Sequence, residues 1–268
     1  MKIGFLGCGN MGGALARAVA LCPGNELVLA DKLSDKAERL AEEIGARGLK
    51  DGDIDELYNC DLIFVGVKPV GVAAALADIK RARKSTEPPV VVSMAAGVKI
   101  KDIESALPVG SEVIRIMPNT PVSVSEGMVL YSLGSSTKEG TERTFTEIMS
   151  GAGKLMRLGE ELIDKATAIS GCGPAYAFMF LEAMIDGGIA IGLPYELAKA
   201  LATQTMLGSA KMAGEAKEHP AALRNAVCSP GGSTIEGVIK LEDGGLRSAV
   251  EDAVIAAYEK TKKLGENK

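Results

Sequence analysis

A chain of 268 residues is long enough for about two domains, and 47% hydrophobic with 24% charged residues is the usage of a soluble globular protein with a sizeable core. Its net charge of −5, from 30 basic and 35 acidic residues, argues against nucleic acid or an anionic bilayer as partner. A single histidine, His219, excludes a multi-histidine metal centre, and the lack of Trp with only 4% aromatic residues disfavours stacking platforms for bases or sugars.

The first strand-like runs are Lys2–Leu6, Glu26–Ala30, Leu62–Val67, Val90–Ser93 and Val113–Met117, apolar, often β-branched and bounded by Gly, Asp, Lys or Pro. Helical patterns over Met11–Leu21, Ser34–Ile44, Gly71–Arg83 and Ile100–Ala106 alternate with them. Ser34 stands where an N-cap would, and Gly45 lies just past the end of that helix. Strands without polar alternation, separated by helices, predict a parallel sheet covered on both faces. Met128–Ser132 and Lys154–Leu158, flanking a helical Lys138–Met149, extend that sheet.

From about Glu160 the strand pattern stops. Pro174–Ile191, Pro194–Glu215, Ser233–Leu241 and Leu246–Leu264 carry apolar residues at helical spacing, which predicts an all-α second domain. Small residues (Ala183, Gly187, Gly188, Ala190, Gly192) predict close helix–helix contact there. The charge-free stretch Ala166–Leu181 is too short, and too broken by Gly-Cys-Gly-Pro, to span a bilayer. Met1-Lys2 runs straight into a strand, so no leader is expected. Five scattered cysteines without a CxxC suit a reducing, cytoplasmic location.

Two segments carry chemistry. Gly7-Cys8-Gly9-Asn10-Met11-Gly12 fits GxGxxG between the first strand and the first helix. The first glycine permits the tight turn, the second lets backbone approach a pyrophosphate, and the third lets helix and strand pack closely. Asp31, at the end of the second strand, sits where an acid accepts from a ribose 2′-OH and favours NAD. Its neighbours Lys32, Ser34 and Lys36 suit a 2′-phosphate instead, so both dinucleotides stay open. Val67-Lys68-Pro69 and the Ala95-Ala96 stretch of Ser93–Gly97 end two further strands and would line the same crevice.

The second segment is Ser229-Pro230-Gly231-Gly232-Ser233-Thr234-Ile235-Glu236. Ser233 and Glu236 have capping-box spacing, which places a helix start at Thr234. The glycine-rich loop before it offers N–H groups as an anion nest sized for a carboxylate, and Ser229, Ser233 and Thr234 add hydroxyls.

The order Ser170-Gly171-Cys172-Gly173-Pro174-Ala175-Tyr176, Gly192-Leu193-Pro194, Gln204-Thr205, Gly208–Met212, His219-Pro220 and Ser229–Gly232 resembles the pyrroline-5-carboxylate reductases. With Gly7–Gly12, Val67–Pro69, Ala95–Val98 and Met117–Pro121, the resemblance covers essentially the whole chain. It implies an α/β Rossmann-type N-terminal domain with a parallel-rich sheet (1–159) and an all-α C-terminal domain (160–268) that binds substrate and forms a homodimer, often within larger rings of dimers. It implies NADPH, or NADH, as hydride donor to 1-pyrroline-5-carboxylate, giving L-proline. By position, Ser229, Gly231, Gly232 and Ser233 would hold the substrate carboxylate, and Thr234 would hydrogen-bond the ring nitrogen as the catalytic residue. Cys172 and Ser233 stand where this family more often has Ser and Thr, and Asp31 replaces its commoner polar or basic residue, which leaves the cofactor preference open.

A protonated cyclic imine is already electrophilic, so positioning suffices and no side-chain nucleophile is required. His219, before Pro220, reads as a helix-start or interface residue. A β-hydroxyacid dehydrogenase would need a lysine on the first long helix after the domain junction, and none occurs between Lys165 and Lys199. An inactive NAD(P)-binding sensor would not need the hydroxyl-rich second loop.

Overall fold

The computed structural model describes residues 1–50, 54–82 and 87–266. By internal contacts it divides into two compact units, residues 1–172 with 257–268, and residues 173–256.

The first unit is built on an eight-stranded sheet. Its strands are β1 (Lys2–Leu6), β2 (Glu26–Ala30), β3 (Arg47–Gly48), β4 (Leu62–Val65), β5 (Val90–Ser93), β6 (Glu112–Met117), β7 (Gly127–Leu133) and β8 (Gly153–Arg157). They lie in the order β3-β2-β1-β4-β5-β6-β7-β8. All neighbours are parallel except β6 and β7. The expected Rossmann-type sheet is therefore present, with a reversed pair at one end. The reversal follows from the connection: a short 3-10 turn, Thr120–Val124, joins β6 to β7, and that is too little chain for a parallel crossover. Expected strand Leu62–Val67 stops at Val65, and Gly66 begins the turn.

Helices α1 (Asn10–Ala20), α2 (Ser34–Ile44), α3 (Asp55–Tyr58), α4 (Pro69–Ala82), α5 (Ile100–Ala106), α6 (Glu139–Ile148) and α7 (Glu160–Ser170) connect and cover the strands. Arg83, the expected end of α4, lies outside the described residues. Strand residues alternate between two cores, as the period of two requires. Ile3, Phe5, Leu62 and Phe64 face α1 and Phe145 of α6, while Ile63, Val65, Val91 and Val113 face Leu76, Ile79 and Ile103. Phe5 and Phe64, paired in register, stack with ring centroids 4.4 Å apart. Since α1 and α4 lie on opposite faces, the strand order reverses between β1 and β4, which opens a crevice at their carboxyl ends.

Within the first unit, Arg115 of β6 is a polar exception in a hydrophobic layer. It is 1% exposed and flanked in register by buried Ser93 and Ser132. Nη1 lies 3.1 Å from Glu160 Oε1, Nη2 lies 2.7 Å from Asp164 Oδ1, and Nε finds no partner among the described residues. Glu160 Oε1 also accepts from the backbone N–H of Ile100, at 2.7 Å, at the start of α5. Asn119 secures the other end of α7: its Nδ2 donates to the Ser170 carbonyl, and its Oδ1 accepts from Met128 N–H.

The second unit is helical: α8 (Gly173–Ala190), α9 (Tyr195–Glu215), α10 (Pro220–Ala226), α11 (Ser233–Asp243) and the first half of α12 (Leu246–Glu266). The expected close packing is found where α8 meets α9, since a Cβ on Gly188 would sit 2.9 Å from that of Ala198. Ile185, Ala198 and Ala202 make its small buried cluster, and Tyr176 Oη donates to the Ala253 carbonyl. Its other large apolar side chains are mostly open, with Phe178 63% and Met179 70% exposed. Among the described residues, the run Glu160–Ala190 is long and apolar enough to cross a membrane by length and composition. It is interrupted at Gly171-Cys172, and the first-turn acid Glu160 and Asp164 one turn later pair with Arg115.

Candidate active site

The glycine segment turns from β1 into α1 as its spacing demands. Gly7 has φ +104°, and its N–H donates to the Ala30 carbonyl at 2.7 Å. A Cβ on Gly12 would collide with the Gly7 carbonyl oxygen, so only glycine lets α1 start so close to the strand. A Cβ on Gly9 would meet nothing within 4 Å. Gly9 is also the N-cap of α1 and supplies no side-chain bond, so the first amides of the helix face open space. A space that any side chain would fill, in front of N–H groups that have no partner within their own helix, fits the pyrophosphate of a dinucleotide.

The neighbouring loops close on the same edge. Gly66 N–H donates to the Leu6 carbonyl at 2.8 Å, and Met94 N–H to Val65 at 3.2 Å. A Cβ on Gly66 would lie 3.1 Å from Gly7 O and 3.2 Å from Met94 Sδ. The structure thus brings Gly7–Gly12, Val67-Lys68-Pro69 and the Met94–Gly97 loop together along the carboxyl ends of β1, β4 and β5. Lys68 is exposed and Pro69 is the first residue of α4. Ala96 is exposed, whereas Ala95 is 2% exposed and packs into the core, so its side chain lines the protein interior rather than the crevice.

At the end of β2, the Asp31 carboxylate is engaged by backbone. Oδ2 accepts from Cys8 N–H at 2.7 Å and Oδ1 from Leu33 N–H at 3.0 Å. The N-cap of α2 is Leu33, and Ser34 is the first helical residue, a correction to its expected capping role. The cause is local: the Lys36 N–H, which a capping Ser34 hydroxyl would take, donates to the Leu33 carbonyl at 2.9 Å. Beside it opens a cavity of about 430 Å³ lined by Lys32, Leu33, Ser34, Asp35, Lys36 and Arg39. Among the described residues no ion pair neutralises Lys32, Lys36 or Arg39. Sequence reasoning missed Arg39, although its spacing from Lys36 puts both on one helical face.

Cys8 is buried inside this loop, with Sγ donating to the Ala30 carbonyl at 3.6 Å. Burial first, and the Asp31 carboxylate second, push its thiol up to about 12. It is a packing residue and stays protonated.

In the second unit, Gly231 has φ +67° and Gly232 N–H donates to the Ser229 carbonyl at 3.0 Å, forming a tight turn into α11. A Cβ on Gly232 would run into the Ser229 hydroxyl, which lies over the start of the helix. The expected capping box is absent. Gly232 in extended conformation holds the N-cap without a side-chain bond, and α11 begins at Ser233 rather than Thr234. The first amides of α11 therefore remain available, with Ser229, Ser233 and Thr234 exposed beside them. His219 is a helix-start residue, its Nδ1 accepting from Ala221 N–H at the head of α10.

Known proteins resemble both parts of the chain. Residues 2–97 match the family model described as NADP oxidoreductase coenzyme F420-dependent, and residues 160–264 match that of pyrroline-5-carboxylate reductase dimerisation. The pyrroline-5-carboxylate reductase of Arabidopsis thaliana is 36% identical over 99% of this chain and 96% of its own. That of Methanosarcina acetivorans is 37% identical over 98% of each. The crystal structure of the Plasmodium falciparum pyrroline carboxylate reductase with NADP bound superposes with a TM-score of 0.86 at 32% identity, over 99% of this chain and 98% of that one. The chain belongs to the pyrroline-5-carboxylate reductase family.

Proposed function

We infer that this chain is a pyrroline-5-carboxylate reductase: it reduces the C=N bond of 1-pyrroline-5-carboxylate to give L-proline. The observation that carries this is the full-length likeness to enzymes of that name together with an intact glycine cradle at β1–α1. A reduced nicotinamide dinucleotide, when bound, supplies the hydride. The division of labour is between residues 1–159, which bind the dinucleotide, and 160–268, which bind substrate and pair two chains.

On this reading the amides of Gly9, Asn10, Met11 and Gly12 at the start of α1 receive the pyrophosphate, over a turn that Gly7 and Cys8 shape with their own N–H groups tied to Ala30 and Asp31. Val67, Lys68, Pro69 and Ala96, with the backbone at Ala95, border the rest of the cofactor. Ser229, Gly231, Gly232 and Ser233 hold the substrate carboxylate at the uncapped start of α11. Thr234 hydrogen-bonds the ring nitrogen and orients the C=N bond. These residues position and exclude water, and none has to act as a nucleophile.

The preferred cofactor is NADPH. Three cations that no ion pair neutralises among the described residues, Lys32, Lys36 and Arg39, with the Ser34 hydroxyl and a single acid, Asp35, surround a cavity at the end of β2, where a 2′-phosphate would lie. The location is cytoplasmic, and the exposed apolar faces of α8 and α9 are covered by a second copy of the chain rather than by lipid.

Steady-state oxidation of NADPH and of NADH with 1-pyrroline-5-carboxylate tests the assignment. Imine-dependent turnover with a higher kcat/KM for NADPH is expected. Turnover with a hydroxyacid but not the imine would assign the chain to hydroxyacid dehydrogenation, and dinucleotide binding without turnover would make it a sensor.

A further inference from the structure

An acid at the end of β2 conflicts with a preference for NADPH, because a free carboxylate there repels a 2′-phosphate. The geometry around Asp31 removes the conflict. Both carboxylate oxygens are taken by backbone N–H groups, Cys8 on one side and Leu33 on the other. Such charge-assisted bonds are strong and hold the carboxylate in place on the loop. The neighbouring cavity is lined by the cations Lys32, Lys36 and Arg39 and by one acid, Asp35, which they outnumber, but not by Asp31. The acid faces back toward the glycine loop, and the upward push it gives the Cys8 thiol is consistent with that direction.

The loop is fastened to β2 at three points: Gly7 N–H to the Ala30 carbonyl, Cys8 Sγ to the same carbonyl, and Cys8 N–H to Asp31 Oδ2. Of the two bonds made by backbone N–H groups, only the one to Asp31 ends on a side chain that a substitution can remove. The bond from Leu33 N–H to Oδ1 then sets the turn that carries Lys32 and Ser34. We propose that Asp31 is a positioning residue that braces the glycine loop against the β2–α2 turn, and that reading of the ribose 2′-position falls to the cations Lys32, Lys36 and Arg39. This refines the cofactor assignment above and rests on it.

The test is binding, without substrate, of NADP+ and NAD+ to the full chain by titration calorimetry. In Asp31→Ala both dinucleotides should weaken by the same factor, about tenfold or more for the loss of two charge-assisted bonds. Their affinity ratio should stay within about twofold of the parent, which a residue contacting the ribose would not allow. Asp31→Asn keeps one acceptor and should fall between the two with the same ratio, and it serves if the alanine variant fails to fold. A gain in NADP+ affinity, a loss confined to NAD+, or no change in either overturns the proposal. Lys36→Gln with Arg39→Gln should weaken NADP+ alone. If that pair changes nothing, the NADPH assignment fails, while the bracing role of Asp31 is still read from its own ratio.

Discussion

Arg115 makes an asymmetric prediction about stability. Its guanidinium is 1% exposed, whereas the side chains of Glu160 and Asp164 are 28% and 35% exposed. Replacing Arg115 by Met fills much of the space with apolar atoms and frees two carboxylates that can turn toward water. That should cost about 1–2 kcal/mol, the scale of lost hydrogen bonds with partial rehydration. The double replacement Glu160→Ala with Asp164→Ala leaves the cation buried without a counterion and uncaps Ile100, which should cost about 3–5 kcal/mol. Urea unfolding followed by far-ultraviolet circular dichroism gives both values, and the triple variant should be less damaged than the double. Equal costs, or a larger cost for Arg115→Met, would refute the argument that burial of the cation, rather than of the acids, sets the energy.

Thr234→Ala should lower kcat/KM for the imine by about 1–3 kcal/mol in transition-state stabilisation, and unchanged kinetics would remove Thr234 from the chemistry. Cys8 and Cys60, both pushed up to about 12 chiefly by burial, are protonated at about pH 8 in the folded chain. They should alkylate about a thousandfold more slowly than an ordinary thiol and recover normal rates on denaturation, as peptide mass spectrometry would reveal. Labelling of folded Cys8 at the rate of the half-buried Cys228 would show that the loop opens.

The parts of the fold that local chemistry decides were the legible ones. Strand β1, the glycine turn, and the bounds of α2 and α5 follow from apolar runs, glycine stereochemistry and the helical period, all within a dozen residues. Strand β3 was not legible, because Arg47-Gly48 is a strand only through pairing with Val28 and Leu29. Helix α10 is seven residues long, too short for a periodic signal, although its proline start was visible. Helix α7 did leave a trace: acids in the first turn and Ile163 with Thr167 on one face. Two helices start one residue ahead of where their serines suggest, since Leu33 and Gly232 take the cap positions and Ser34 and Ser233 enter the helices. The Arg115 network had no signal at all, because its partners lie 45 and 49 residues away. Of the candidate site, the glycine loops were read from spacing. The Asp31 bonds and the cationic cavity needed the turn that β2 and α2 make together.

Glu160 joins α5, β6 and α7 through one carboxylate, so the helix that opens the C-terminal part of the chain is welded to the sheet before it. Recombination between relatives therefore has a hidden seam. A chimera spliced just ahead of Glu160 would import foreign acids to neutralise a native arginine, while one that leaves α7 with its own strands keeps that settlement intact and is the exchange evolution could make cheaply.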